Sequence, residues 1–172
     1  MKNISFRNDV LPLKDMLFRL ALRITLDHAE AEDVVQETMI RVWNKREQWN
    51  QIESIEAFTT TICRNLALDR QKKAAYRQEL LTEGEHDLAD NSVHANPEKQ
   101  MMASDQMKLV KRLMNQLPEK QRTCMQLRDI EGKAYKEIAA VMNISEQQVK
   151  VNIFRARQAI RQRFAETEDY GL

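Results

Sequence analysis

Between Glu79 and Glu98 the chain carries six carboxylates and no lysine or arginine. That strip limits the fold more than any other feature, because so few apolar anchors cannot offset the entropy of ordering it. Any packed core must form on either side. Residues 1–78 hold thirteen basic and eleven acidic side chains, net +2, and residues 99–172 hold fourteen and nine, net +5. The strip contributes −6, which closes on the formal +1 of the 172-residue chain. Three glycines and three prolines leave little material for tight turns, and good helix formers dominate the rest. The expected fold is all-α: two small helical domains, 1–78 and 105–172, joined by an acidic flexible linker over 79–104.

Apolar spacing places the helices. Leu13, Met16, Leu17, Leu20 and Ile24 follow the i, i+3, i+4 rule and predict a first helix from about Pro12 to Leu26. Asp27 is a good N-cap for a second, running to about Lys45 with Ala31, Val35, Thr38, Met39 and Val42 inward. A polar stretch holding Trp49 follows. A third helix starts near Ser54 and passes Lys73, with Ile55, Phe58, Ile62 and Leu66 inside. Beyond the linker three or four helices are expected, broken at Leu117-Pro118, near Glu131-Gly132 and at Asn143.

The segment from Tyr135 to Val149 reads as a helix-turn-helix. Ile138, Ala139 and Met142 pack the first helix, Asn143 suits the left-handed residue of the turn, and Ser145 caps the second helix. In that second helix Val149, Ile153, Ala156 and Ile160 form one apolar stripe. Gln147, Lys150, Val151, Phe154, Arg155 and Gln158 lie opposite. Amides, cations and an outward aromatic are the side chains that read base edges and thymine methyls in a major groove. Arg157 and Arg161 flank them and suit phosphates. An ordinary amphipathic helix with a solvated basic face has the same pattern, and Phe154 is what sets this one apart.

In the N-terminal half, Asp33, Gln36 and Glu37 stand at i, i+3, i+4, and Ile40 continues the same outward face. An acidic-amide patch with an apolar centre suits docking to a basic helical partner. Arg46 and Trp49, with Arg64, Asn65, Arg70, Lys72 and Lys73 of the third helix, bring bases next to an aromatic. That mix suits single-stranded DNA, where phosphates meet cations and unstacked bases meet rings. The competing reading has Trp49 capping the core and the cations complementing a helix dipole.

AEDVVQETMIRVW (31–43), then Trp49, then AFTTTICRNLALDRQKK (57–73), resembles the second conserved region of the extracytoplasmic-function sigma factors. LPEKQRTCMQLRDIEGKAYKEIAAVMNISEQQVKVNIFRARQAIRQRF (117–164) resembles the fourth. The resemblance implies a bacterial sigma factor that binds core RNA polymerase, recognises promoter DNA and helps melt it. It implies that Asp33, Gln36 and Glu37 grip a coiled coil of the polymerase's largest subunit. The loop at Arg46–Trp49 and the helix at Arg64–Lys73 would capture the melted strand. Lys150, Val151, Phe154 and Arg155 would read the minus-thirty-five element. An anti-sigma factor is a further partner implied by the family. Phe58 stands where many members have Trp, and Val151-Asn152 replaces a frequent Ser-Arg pair.

The principal rival is a dimeric helix-turn-helix repressor or activator, which would explain residues 117–164 but not the face at Asp33, Gln36 and Glu37. A helical adaptor leaves the reading helix unexplained. An enzyme is disfavoured: no Gly-rich phosphate loop or metal-ligand cluster stands out, and the three histidines are scattered. No cofactor or metal is expected. Cys63 and Cys124 form no Cys-x-x-Cys pair and read as free thiols. No apolar run reaches the length of a membrane span, and MKNISFRNDV lacks the apolar core of a signal peptide. The expected location is the cytoplasm, without membrane insertion.

Overall fold

A computed structural model describes residues 3–82 and 105–169, and every regular element among them is helical. Helix α1 spans Lys14–Thr25, α2 His28–Asn44 and α3 Ile55–Thr82. Helices α4 Asp105–Asn115, α5 Glu119–Met125, α6 Tyr135–Met142 and α7 Glu146–Asp169 form the C-terminal half. A π-helical turn, Phe6–Val10, leads into α1, a 3-10 helix, Arg46–Gln51, joins α2 to α3, and a π-helical stretch, Gln126–Ile130, extends α5. The acids Glu83, Glu85, Asp87, Asp90 and Glu98 lie outside the described residues. Glu79 to Thr82, assigned to the linker by sequence, are instead the last turn of α3.

Local chemistry sets the boundaries. Asp27 Oδ1 accepts the Glu30 N–H at 3.0 Å, capping α2. Immediately before it, Leu26 closes α1 in the left-handed region at φ 57°, its N–H donating to Leu22 O at 2.8 Å. A leucine there costs about 1–2 kcal/mol, offset by the satisfied carbonyl and the capped helix that follows. Ser54 Oγ accepts the Ala57 N–H at 3.2 Å and starts α3. Asn143 ends α6 at φ 55°, as its tolerance of that conformation predicts. Ser145 and Gln148 then cap α7 reciprocally: Ser145 Oγ accepts the Gln148 N–H at 3.1 Å and Gln148 Oε1 accepts the Ser145 N–H at 2.9 Å.

Helices α1, α2 and α3 pack against one another through Leu17, Leu20, Ile24, Val34, Val35, Leu66 and Ala67. In the C-terminal half, Leu113, Met114, Leu117, Met125, Ala156 and Ile160 form a second cluster. Each fully buried side chain of this size is worth about 1.5–3 kcal/mol.

The two halves do not keep separate cores. Cys63, Leu66 and Ala67 of the first share one apolar cluster with Cys124, Leu127, Ile138, Val141 and Met142 of the second. Helix α3 is therefore covered on two sides, which explains why Thr59 and Thr60, off the expected inner face, are buried. Polar contacts frame this junction. Arg19 forks onto Glu131 at 2.8 and 2.7 Å, Arg23 donates to Gln126 at 2.9 Å and to Asn115 at 2.6 Å, Arg64 reaches Glu119 at 3.2 Å, and Lys133 pairs with Glu56.

Both thiols lie in the shared cluster. Burial pushes the Cys63 thiol up to about 12 and the Cys124 thiol up to about 11. Each is protonated at neutral pH and packs as a small hydrophobe.

Candidate functional site

Three exposed faces carry the chemistry that the sequence points to. On α2, Asp33, Gln36 and Ile40 point into solvent, Ile40 at 60% exposure, while Glu37 is half-buried. The apolar stripe of Ala31, Val34, Val35, Thr38 and Val42 turns the other way. Arg70 crosses from α3 into this face. Its Nη1 donates to Asp33 Oδ2 at 2.8 Å and Glu30 Oε2 at 2.9 Å, and its Nη2 to Glu37 Oε2 at 3.0 Å. The other Glu37 oxygen accepts from Arg41 at 2.9 Å. Hydrogen bonds to Asp33, then Glu30 and Glu37, raise the Arg70 pKa and hold the guanidinium charged. Sequence alone assigned Arg70 to single-stranded DNA. The structure instead engages it with three carboxylates, because a residue of α3 facing α2 meets the acidic side of that helix.

The second face surrounds the 3-10 helix. Trp49, expected to be presented to DNA, is 6% exposed. Its Nε1 donates to Val42 O at 3.1 Å, and its ring stacks on Phe6 at 6.5 Å and meets Trp43 edge-on at 6.2 Å. The aromatic that does reach solvent here is Trp43, 46% exposed, with the Arg46 guanidinium 4.5 Å over its ring. Sequence reasoning missed Trp43. The available signal was its position one residue past Val42, off the buried stripe. Asn65, Lys72 and Lys73 are exposed along α3. Arg64, expected to face outward, is 9% exposed beneath the C-terminal half and bonded to Glu119, since the packing of that half onto α3 is invisible to periodicity.

The third face belongs to α7. Val149, Ile153, Ala156 and Ile160 are buried as the stripe predicts. Gln147, Lys150, Val151, Phe154 and Arg155 are exposed, Phe154 at 65%. Packing of the two halves, which could have hidden this helix, leaves its outer face open. Arg157 is the exception: its fork is taken by Asp129, with Nε 3.0 Å from Oδ2, so it braces α7 against the end of α5. Lys150 lies 5.5 Å over the Tyr135 ring, which ties this outer face to the first helix of the motif.

Among the described residues no group of three or more histidine, cysteine or carboxylate side chains could hold a metal ion, and no helix is long and apolar enough to cross a membrane.

Residues 10–77 match the family model of sigma-70 region 2, and residues 107–160 match that of sigma-70, region 4. The chain is 31% identical over 147 residues to the ECF RNA polymerase sigma factor SigL of Mycobacterium tuberculosis, covering 85% of this chain and 81% of that one. It is 30% identical over 160 residues to the RNA polymerase sigma-H factor of Pseudomonas aeruginosa, covering 88% and 81%. It is 29% identical over 154 residues to the ECF RNA polymerase sigma factor SigW of Bacillus subtilis, covering 86% and 82%. Two solved structures share the fold. The sigma factor RpoE of Bartonella quintana, in complex with the anti-sigma factor NepR, superposes with a TM-score of 0.71 at 24% identity over 91% of this chain and 94% of that one. CnrH, in complex with the cytosolic domain of CnrY, gives 0.67 at 21% identity over 94% and 88%.

Proposed function

The chain belongs to the extracytoplasmic-function sigma factors, and on that premise we propose how its surfaces divide the work of transcription initiation. As a sigma factor it is a regulatory protein that initiates transcription by RNA polymerase. In our reading the first domain, residues 1–78 extended to the end of α3, docks on core polymerase through Asp33, Gln36, Glu37 and Ile40. Trp43, Arg46, Asn65, Lys72 and Lys73 meet the melted strand. The C-terminal domain, residues 105–172, reads the upstream duplex through Gln147, Lys150, Val151, Phe154 and Arg155. The acidic segment 83–104 joins them along the sequence. The chain acts in the cytoplasm, performs no catalysis of its own and is held in check by an anti-sigma factor.

One observation carries this division. Ile40 on α2 and Phe154 on α7 are both large exposed apolar side chains, and their surroundings differ in sign. Ile40 sits in an acidic-amide face and Phe154 in a basic one. A basic helical partner fits the first and a nucleic acid fits the second.

The test separates the faces. Gln36→Lys with Ile40→Lys leaves the Arg70 contacts untouched, so helicity should be retained. Affinity for core polymerase should fall at least about tenfold, ~1.4 kcal/mol, the size of one interface contact. Unchanged affinity would remove this face from the docking surface.

Phe154→Ala should leave core affinity at the wild-type value and cost about 1–3 kcal/mol in discrimination between a promoter and its minus-thirty-five variants. Lys150→Ala should weaken binding to the promoter duplex and flatten its salt dependence. Equal promoter selectivity for Phe154→Ala and wild-type holoenzyme in run-off transcription would remove α7 from the reading role.

A further inference from the structure

We propose that Arg70 is a positioning residue of the polymerase-docking face: one guanidinium holds three carboxylates so that Asp33 is presented to the partner in a fixed orientation. The proposal rests on the docking reading above and deepens it.

Arg70 takes one oxygen from each of Glu30, Asp33 and Glu37. Glu37 has its second oxygen on Arg41, so both of its acceptors are engaged within the chain. Asp33 differs, because its side chain is 61% exposed and only Oδ2 is drawn toward Arg70. Asp33 therefore offers a pre-oriented acceptor, with Gln36 and Ile40 beside it on the same face.

Three carboxylates this close repel one another and splay apart when no cation sits among them. The planar fork suits the task, since its donors diverge in fixed directions, whereas an ammonium acts as a point charge. An ordered carboxylate loses less rotamer freedom on docking than a mobile one, so fixing it beforehand strengthens the complex. Removing Arg70 also makes the face more acidic, which favours a basic partner at long range. At physiological ionic strength that gain is screened beyond about 8 Å, and the loss of orientation acts at contact. The orientation effect wins.

The experiment is an equilibrium titration of the full-length chain with core polymerase at physiological salt, well below the melting temperature. Arg70→Ala should lower core affinity about tenfold, ~1.4 kcal/mol. Arg70→Lys keeps the charge but loses the fork, and should recover only part of that loss. In an Asp33→Asn background, Arg70→Ala should cost little more, because the two residues act as one unit. A general weakening of the fold would instead add fully in that background. Wild-type or tighter binding by Arg70→Ala, full rescue by Arg70→Lys, or additive losses with Asp33→Asn would each overturn the assignment. So would intact core affinity combined with slow promoter opening, which would return Arg70 to DNA. Gln36→Lys with Ile40→Lys tells the two failures apart. If that pair binds core normally, the docking face itself is wrong. If it binds weakly while Arg70→Ala binds normally, only the role of Arg70 falls.

Discussion

Trp49→Ala should destabilise the protein by about 3–5 kcal/mol, the range for truncating a large buried aromatic. A residue that waits for an unpaired base would behave otherwise and leave stability alone. The packing of the indole supports the structural role. The indole is 6% exposed, packs with Val10 and Val42, stacks on Phe6 and donates its N–H to Val42 O. Truncation opens a cavity between the N-terminal turn and the α2–α3 corner and leaves the Val42 carbonyl without that donor. Urea unfolding followed by circular dichroism measures the loss. Trp43→Ala is the contrast. Its ring is 46% exposed and rests edge-on against Phe6 at 5.5 Å, so truncation should cost only about 1 kcal/mol, the worth of an aromatic pair. Its effect should appear in promoter opening, read by permanganate reactivity. A stable Trp49→Ala protein that opens promoters slowly would reverse the assignment of the two tryptophans.

The sequence showed clearly whatever is written locally. Caps at Asp27, Ser54 and Ser145, the left-handed Asn143 and the stripe Val149, Ile153, Ala156 and Ile160 are each set by a few neighbouring residues, and each is where spacing and side-chain chemistry put it. The same holds for the exposed faces at Gln36 and Ile40 and at Lys150 and Phe154. A helical period that assigns one face inward assigns the other outward.

What local patterning could not reveal was pairing between distant segments. Arg64, Arg70 and Arg157 look alike in sequence, as cations on the polar side of a helix, and that pattern alone points all three to nucleic acid. Each is bound to acid elsewhere in the chain: Arg64 to Glu119, Arg70 to the α2 carboxylates and Arg157 to Asp129. The basic residues Lys72, Lys73, Lys150 and Arg155, by contrast, are exposed. Trp49 takes the core-capping alternative for a related reason: its neighbours in sequence are polar, and it is the distant Phe6 and Val10 of the N-terminal turn, with Val42, that cover the ring. Leu26 shows the reverse case, a left-handed position occupied by a residue whose type gives no warning of it.

Glu131→Lys should separate the two halves of the free protein. Glu131 is the hub of their contact: its carboxylate accepts the Arg19 fork and the Gln126 amide at 3.1 Å, and its side chain is 5% exposed. Gln126 in turn accepts from Arg23, whose pKa burial lowers to about 10, with the like charge of Arg122 adding to the effect. The junction therefore already carries crowded cations, and the buried Nε atoms of Arg64 and Arg122 lack a hydrogen-bond partner. Removing one partner of a buried ion pair costs about 3–5 kcal/mol, and the half-exposed Arg19 places this pair at the lower end. A lysine in its place adds repulsion from Arg19. Those terms oppose an interface held by a modest shared cluster, so the closed arrangement should give way while each helical half stays folded. Two readouts follow from the structure. The radius of gyration by small-angle scattering should rise. Cys124, buried and protonated beside Arg64 at the junction, should become open to alkylation at mildly alkaline pH, because separation exposes it and returns its pKa toward about 8.5, whereas Cys63, whose thiol donates to Leu17 O within the first half, should stay protected. Wild-type scattering together with wild-type thiol protection would mean that apolar contact alone holds the halves together, and that the Arg19–Glu131 fork sits on the junction without closing it.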